Sequence, residues 1–329
     1  MRKFRFRHVI LLLWIISAVV LVTGTTMAQE KKFPTRPIEI VVPLPPGGAA
    51  DLQARPLATA MEQILKQPVI VVNKPGGSAI GAQFVLGRRV DGYTALIAMP
   101  SFFSSPLVDD HFKRPKKYKV EQFTLVARLT ADPLVLVTHP QKPWKSVAEL
   151  MADAKRRPGK ITYGSSGVYS GLHLPMEIFC TKEKIELKHV PYVGAGKAVV
   201  GLMGGHVDIL LAGPSVVLSH IKGGSLRALG VLGKKRFAVL QDIPTLNESG
   251  FPFEYYNPVG IVVVKATPPG VLQILRNAVR QAVRDPNFEN AITKLGSAVD
   301  YLDADEYLAI WKEEAKVLAE VIKRIDIIK

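Results

Sequence analysis

From Pro37 onward, short apolar runs alternate with stretches whose apolar positions recur at helical spacing. Ile38–Val42 reads as a strand that ends abruptly in Pro43-Leu44-Pro45-Pro46-Gly47-Gly48, and a helical segment follows over residues 52–66. The cycle recurs with a strand over 69–72, the turn Asn73-Lys74-Pro75-Gly76-Gly77 and a helix over 80–89. A third buried-type strand over 93–99 breaks at Pro100. Residues 123–137 are rich in strand formers, and from Trp144 the cycle restarts with a helix over 147–155. A strand over 161–163 then meets a second small-residue turn, Gly164-Ser165-Ser166-Gly167, with another helix beyond it. Further strands are predicted over 187–192, 207–211, 226–232 and 255–265, with helices over 198–203, 271–284 and 305–325. This β-turn-α alternation predicts doubly wound α/β architecture with a mostly parallel sheet.

The first 28 residues stand apart from that pattern. Arg2, Lys3, Arg5 and Arg7 precede an apolar run over 9–22, and Thr26-Met27-Ala28 offers small residues for cleavage. The stretch is expected to be a secretory signal, which places the mature chain outside the cytoplasm. The formal charge of +15 falls to about +11 once the four basic signal residues are removed. The remaining basic residues are dispersed, with no aromatic-studded basic stretch, so nucleic acid is not an expected partner. A modest steering field for anionic ligands fits better. A single cysteine, Cys180, excludes an intramolecular disulfide. It lies in an apolar stretch and is read as a buried small residue.

Enzyme signatures fall short. Gly164–Gly167 lacks the spacing of a nucleophile elbow. Gly194-Ala195-Gly196-Lys197 matches a phosphate loop at only its end, with Pro191 where the first glycine is needed and Ala198 where Ser or Thr should stand. His139, His173, His189, His206 and His220 show no metal-ligand spacing, and no carboxylates pair for acid–base work. No cofactor, metal or catalytic residue is expected. A binding site is better supported. Two glycine-rich strand-to-helix turns, one in each half, each offer backbone N–H donors and the favourable end of a helix dipole to an anion. Hydroxyls at Ser101, Ser165, Ser166, Ser170 and Ser215 add neutral donors. An ordinary βα connection is the alternative for either turn taken alone.

The ordered set of short motifs resembles a known family. Its members are Arg36-Pro37-Ile38, Val42-Pro43, Pro46-Gly47-Gly48 with Asp51, Asn73-Lys74-Pro75-Gly76 and Asp91-Gly92-Tyr93-Thr94. They continue with Pro158-Gly159-Lys160, Tyr163–Gly167, His173-Leu174, Val190-Pro191-Tyr192 and Gly204–Asp208. Leu226–Leu229 and Ile243-Pro244-Thr245 close the series. Together they resemble the solute-binding proteins of tripartite tricarboxylate transporters, also called Bug proteins, over nearly the whole mature chain. The resemblance implies a monomeric two-lobed periplasmic binding protein of type II-like architecture, each lobe a mixed or mostly parallel sheet flanked by helices. It implies a small carboxylate as ligand and integral-membrane transporter subunits as partners. Lobe one is expected over 29–127 plus 254–329 and lobe two over 128–253, with crossing strands near Val126 and Gly260.

Carried onto this chain, the resemblance assigns ligand contacts to Gly47, Gly48, Ala49, Ala50 and Asp51 on one side and to Ser165, Ser166, Gly167 and Ser170 on the other. Pro46, Ser101, Phe102, His173 and Ser215 are added as candidate ligand residues of this chain. Asp51 is read as fixing its loop, because a carboxylate facing a carboxylate is unfavourable. Ala49-Ala50 departs from the usual pattern by removing a side-chain donor, and Pro56 and Pro175 fall where the following helices are expected to start late or kink. Phe102, Phe103 and Tyr169 are candidates for a pocket wall that suits an aromatic or apolar acid, with core packing as the alternative. A secreted hydrolase using Ser165 or Ser166, and a ligand-sensing partner of a membrane kinase, are the competing classes.

Overall fold

The computed structural model describes residues 32–324, so the signal sequence expected over 1–28 lies outside the described residues. In chain order the first elements are β1 (Ile38–Val42), α1 (Ala49–Leu65), β2 (Val69–Asn73), α2 (Ser78–Leu86), β3 (Thr94–Ala98), α3 (Pro100–His111) and β4 (Phe123–Pro133). Next come β5 (Val135–Thr138), α4 (Val147–Arg156), β6 (Thr162–Ser165), α5 (His173–Glu183), β7 (Lys188–Pro191) and α6 (Ala195–Met203). β8 (Ile209–Ala212), α7 (Pro214–Lys222), β9 (Arg227–Val231) and β10 (Tyr256–Val264) follow. α8 (Pro269–Ala282), α9 (Pro286–Lys294), β11 (Val299–Asp303) and α10 (Ala304–Arg324) complete the chain.

The strands form two mixed sheets. One has six strands in the order β11-β4-β10-β3-β1-β2 and the other five in the order β7-β6-β8-β5-β9. Within them β2-β1-β3 and β7-β6-β8 are parallel, and each triplet is followed by two antiparallel neighbours, β10-β4 and β5-β9. The two halves therefore share one topology. In a parallel triplet every connection must climb back over the sheet, and a helix does so at each step. The starts of those helices all fall beyond the carboxyl ends of the strands, where ligands of such sheets bind.

Leu134 marks the passage from the first sheet to the second. It separates β4 from β5, and it explains why residues 123–137 read as one apolar run. Val126 and Gly260 lie within the β4–β10 ladder rather than at the crossing. The return passage is at Tyr255, and a small backbone ladder holds both passages. Leu134 N–H donates to the Tyr255 carbonyl (3.3 Å), Tyr255 N–H to Leu232 (2.8 Å) and Leu232 N–H to Leu134 (2.8 Å).

Each sheet has its own apolar core. Strand residues of β5, β6 and β8 pack with Trp144, Met176, Phe179 and Val217 in the second. In the first, Val41, Leu96 and Val262 pack with an aromatic group of Phe102, Phe103, Tyr118, Phe123, Tyr307 and Trp311. That group corrects the expectation that Phe102 and Phe103 face a pocket. Pro100 opens α3 instead of ending the order, since a first-turn proline sacrifices no helical hydrogen bond. In α3 both rings face inward, each 1% exposed. The prolines in the other two helices are absorbed. Pro56 lies deep in α1, which starts at Ala49 and not late, while Pro175 falls in the first turn of α5.

Phe103 sits 4.1 Å, centroid to centroid, from Trp311 on α10 and meets Tyr307 edge-on at 5.8 Å. Phe103→Ala is expected to lower stability by about 3–5 kcal/mol through lost burial and the cavity left behind. Urea unfolding measures this as a fall in the midpoint, and an unchanged midpoint would place the ring outside the core.

Candidate functional site

The turn after β1 is built to present backbone. Gly47 takes φ +82°, a left-handed conformation that glycine adopts without strain, and Gly48 caps α1 with no side chain to offer. Asp51 secures this turn from behind. Its carboxylate accepts from Gly47 N–H (3.0 Å), Asn73 Nδ2 (3.0 Å) and Arg55 Nε and Nη2 (3.0 and 2.8 Å), and Asn73 Nδ2 also donates to the Leu44 carbonyl (3.1 Å). Burial alone raises the Asp51 pKa, but the hydrogen bonds from Arg55, Gly47 and Asn73 outweigh it, and the carboxyl lies below its ordinary range.

The turn after β6 is held by neutral groups. Ser165 is fully buried; its Oγ accepts from Gly167 N–H (3.2 Å) and shares its proton between the Gly167 carbonyl (3.0 Å) and His189 Nε2 (2.7 Å). His189 stacks on His173, ring centroids 4.0 Å apart, and His173 Nδ1 accepts from Tyr169 N–H (3.0 Å). Tyr169 has φ +59°, strained for a non-glycine residue. It is fixed by that bond and by Ser104 Oγ, which donates to its carbonyl from α3 (3.2 Å). Ser170 Oγ accepts from His173 N–H (3.3 Å) at the entrance to α5.

Between the two turns lies a cavity of about 480 Å³, within the range of small-ligand sites. Six helices begin on its wall. α1, α2 and α3 come from the first sheet through Gly48, Gly77 and Pro100. α5, α6 and α7 come from the second through Leu172, Gly194 and Gly213. Five of these six have no side chain bonded to their first turn, while at α5 Ser170 Oγ accepts from His173 N–H. Away from the cavity α4 and α9 are capped by Ser146 and Asp285, and α8 has no capping side chain. The helices that face the cavity aim positive dipole ends at one volume, and five of them keep first-turn N–H groups free of side-chain partners. No acidic residue lines it, and Lys197 is its one formally charged residue among those described. Such a site is made to receive an anion.

Residues 53–327 match the family described as the tripartite tricarboxylate transporter family receptor. The UPF0065 protein in the gbd 5' region of Cupriavidus necator is 34% identical over 95% of this chain and 94% of its own length. BugT of Bordetella pertussis is 33% identical over 88% and 90%. Among solved structures, a periplasmic transporter superposes with a TM-score of 0.84 at 32% identity, covering 90% of this chain and 99% of that one. A Rhodopseudomonas palustris protein with adipate gives 0.83 at 26% identity, covering 88% and 98%. MatC of the same organism, with bound malate, gives 0.80 at 25% identity, covering 88% and 100%.

The chain belongs to the tripartite tricarboxylate transporter receptor family.

In this receptor, Pro46, Gly48, Ala49, Ser101, Ser166, Gly167 and Ser170 line the cavity. The other expected ligand residues do not, each for a physical reason. Gly47 forms the turn, Ala50 is fully buried beside it, and Asp51 points back into it. Phe102 is core, while Ser165 and His173 lie behind the second turn. Ser215 Oγ is buried without a hydrogen-bond partner, next to Gly213 rather than on the cavity wall. Tyr169 packs on His173 and Phe112, and the aromatic ring on the wall is that of Tyr192. Pattern reading does not reach residues 192–197, Gly213 and Asn257. The start of α6 fails as a phosphate loop, yet its glycine ahead of an apolar helical run is a usable signal.

Burial pushes His173 down to about 3, with the neighbouring His189 adding to it, and burial pushes His189 down to about 4. The unfolded chain binds more protons than the folded one below the ordinary value of 6.5. The stability these neutral rings contribute is therefore complete above that value and is lost as pH falls through the two folded values. An NMR titration of the imidazole resonances is expected to show neither ring protonating above about pH 5. A midpoint near 6.5 for either ring would contradict the buried stack.

Proposed function

We propose that this receptor is a periplasmic, monomeric solute-binding protein that captures a small carboxylate between two lobes and delivers it to integral-membrane transporter subunits. The observation that carries the reading is the meeting of six helix starts, five of them without a capping side chain, on one cavity with no acidic residue. A carboxylate fits because its oxygens accept several N–H bonds at once, and neutral donors hold it without an arginine clamp. The adipate and malate held by the solved relatives are carboxylates of this size class. An amino acid suits the cavity poorly, because its ammonium would meet positive helix ends and no carboxylate.

We read lobe one as residues 29–127 plus 254–329 and lobe two as 128–253, with the first boundary moved to Leu134 because β4 runs to Pro133 in the first sheet. The Leu134–Tyr255–Leu232 ladder is the natural pivot. Closure brings loops of both lobes together, as at Ser104 and Tyr169, and the closed form is the one the membrane subunits recognise. Among the described residues no helix is long and apolar enough to cross a membrane.

The hydrolase reading is not favoured, and we propose that the protein is not an enzyme. The serine beside a histidine, Ser165, is fully buried, while Ser166 on the cavity wall has no hydrogen bond to a base.

Gly48 is the position at which to test the site. Its φ of −84° suits any residue, and an added Cβ meets nothing closer than the Pro45 carbonyl at 3.7 Å. A side chain at Gly47 would strain the turn instead. Di- and monocarboxylates are expected to raise the melting temperature of the wild type, and amino acids are not. Gly48→Leu is expected to melt within a few degrees of wild type and to lose that shift. The reading fails if no acid stabilises the wild type, or if Gly48→Leu binds as well as it does.

A further inference from the structure

Resting on the carboxylate reading above, we propose that Lys197 is a specificity-determining residue that selects ligands with a second anionic group, namely linear dicarboxylates with an apolar spacer. Three observations converge on it. Lys197 is the sole formal charge on the cavity wall among the described residues. It is exposed, and among the described residues its side chain has no ion pair or hydrogen bond. It also stands in the first turn of α6, where a cation opposes the positive end of the helix dipole. Fold stability gives no reason for a lysine at that place, whereas an anion on the wall would be held by both the ammonium and the helix start.

The surroundings define the rest of the ligand. Val168, Val193 and Val200 are 51%, 52% and 64% exposed, among the most exposed large apolar residues of the chain, and all three line this cavity. Val193 and Val200 lie four residues before and three after Lys197, so Val200 shares its helix face. Tyr192 adds a ring to the same wall, brought close because Gly201 has no side chain: a Cβ there would stand 2.3 Å from Tyr192 Oη. One carboxylate between the helix start at Gly48 and the turn at Gly167, an apolar chain along the valines, and a second carboxylate at Lys197 match the charge and the apolar side chains of the wall. A monocarboxylate leaves the lysine unpaired, and a heavily hydroxylated acid leaves the valines without an apolar partner.

The test is calorimetric titration of the full mature protein with hexanedioate and octanedioate against hexanoate and octanoate. Wild type is expected to bind each diacid about tenfold more tightly than its matched monoacid. Lys197→Met is expected to weaken only the diacids and bring that ratio near one, while Lys197→Arg retains it. Melting of Lys197→Met without ligand is expected to match or exceed wild type, since an unfavourable charge is removed. As a check that needs no variant, raising NaCl from 50 to 500 mM is expected to weaken diacid binding more steeply than monoacid binding. Equal loss for both acid types in Lys197→Met, an unchanged ratio, or no diacid preference in wild type would overturn the assignment and leave the carboxylate site standing. Failure of every acid to bind wild type would overturn both.

Discussion

The constraint on which this receptor depends is that the first N–H groups of a helix must find acceptors. Six helices begin on one cavity and five of them carry no capping side chain, although the chain caps α4 and α9 elsewhere with Ser146 and Asp285. Glycine or apolar residues at the six starts keep the donors available, and convergence of the six starts gathers positive potential that nothing on the wall neutralises. Each helix end is worth roughly 0.3–1 kcal/mol to an exposed anion and up to about 2 when partly buried. Several ends acting on one carboxylate therefore make a site from backbone alone. The shared strand order of the two sheets explains how this is reached: the same β-turn-α unit, used three times per sheet, places three helix starts on each side.

The residues that shape the turns are not those that face the ligand, and the two turns are secured differently. Behind the first, Asp51 carries a charge, but Arg55 neutralises it and Asn73 and Gly47 saturate its oxygens. Behind the second, Ser165, His189 and His173 form a neutral stack. Burial drives both imidazoles toward the neutral form. In each case the support adds no net negative charge beside the cavity, so the potential at the wall remains positive. Asp51 and Ser165 thus act by position, which is why both are fully or almost fully buried while their neighbours Gly48 and Ser166 reach the cavity.

Much of this was legible in the sequence, because β1, β2 and β3 are apolar runs followed within two residues by proline, and period and turn chemistry agree there. The role of Asp51 was legible from charge alone. The helix that opens on Pro100 was not, because that proline reads as a strand breaker but occupies a first turn. The inward turn of Phe102 followed from the same miss, since its direction depends on α3 existing. The split between β4 and β5 was hidden because a chain passing from one sheet core to another stays apolar throughout. The cavity wall at residues 192–197 was hidden for the opposite reason, as a valine, an alanine and two glycines carry no chemical signature until the fold sets them at a helix start.

Closure has to be poised for such a site to act in transport. Contacts across the cleft include Ser104 Oγ with the Tyr169 carbonyl, Phe112 on Tyr169, Pro100 and Asn257 against Gly171, Pro45 against Gly194, Leu218 against Gly296, Ala49 in the second core, and an apolar group of Val108, Leu174 and Ile322 that brings α10 to the second sheet. A Cβ at Gly171 or Gly194 would come within 3.2 Å of its facing proline, so these contacts depend on the absence of side chains. Set against them is the mutual repulsion of six positive helix ends and Lys197 when the halves approach. On the proposed reading this repulsion offsets the contacts, and an anion favours closure because it turns the same helix ends from repelling one another to sharing a counter-charge. A ligand shifts a conformational equilibrium only by its differential affinity for the two states. Here that difference arises because half of the donors belong to each sheet, and only the closed form engages both sets.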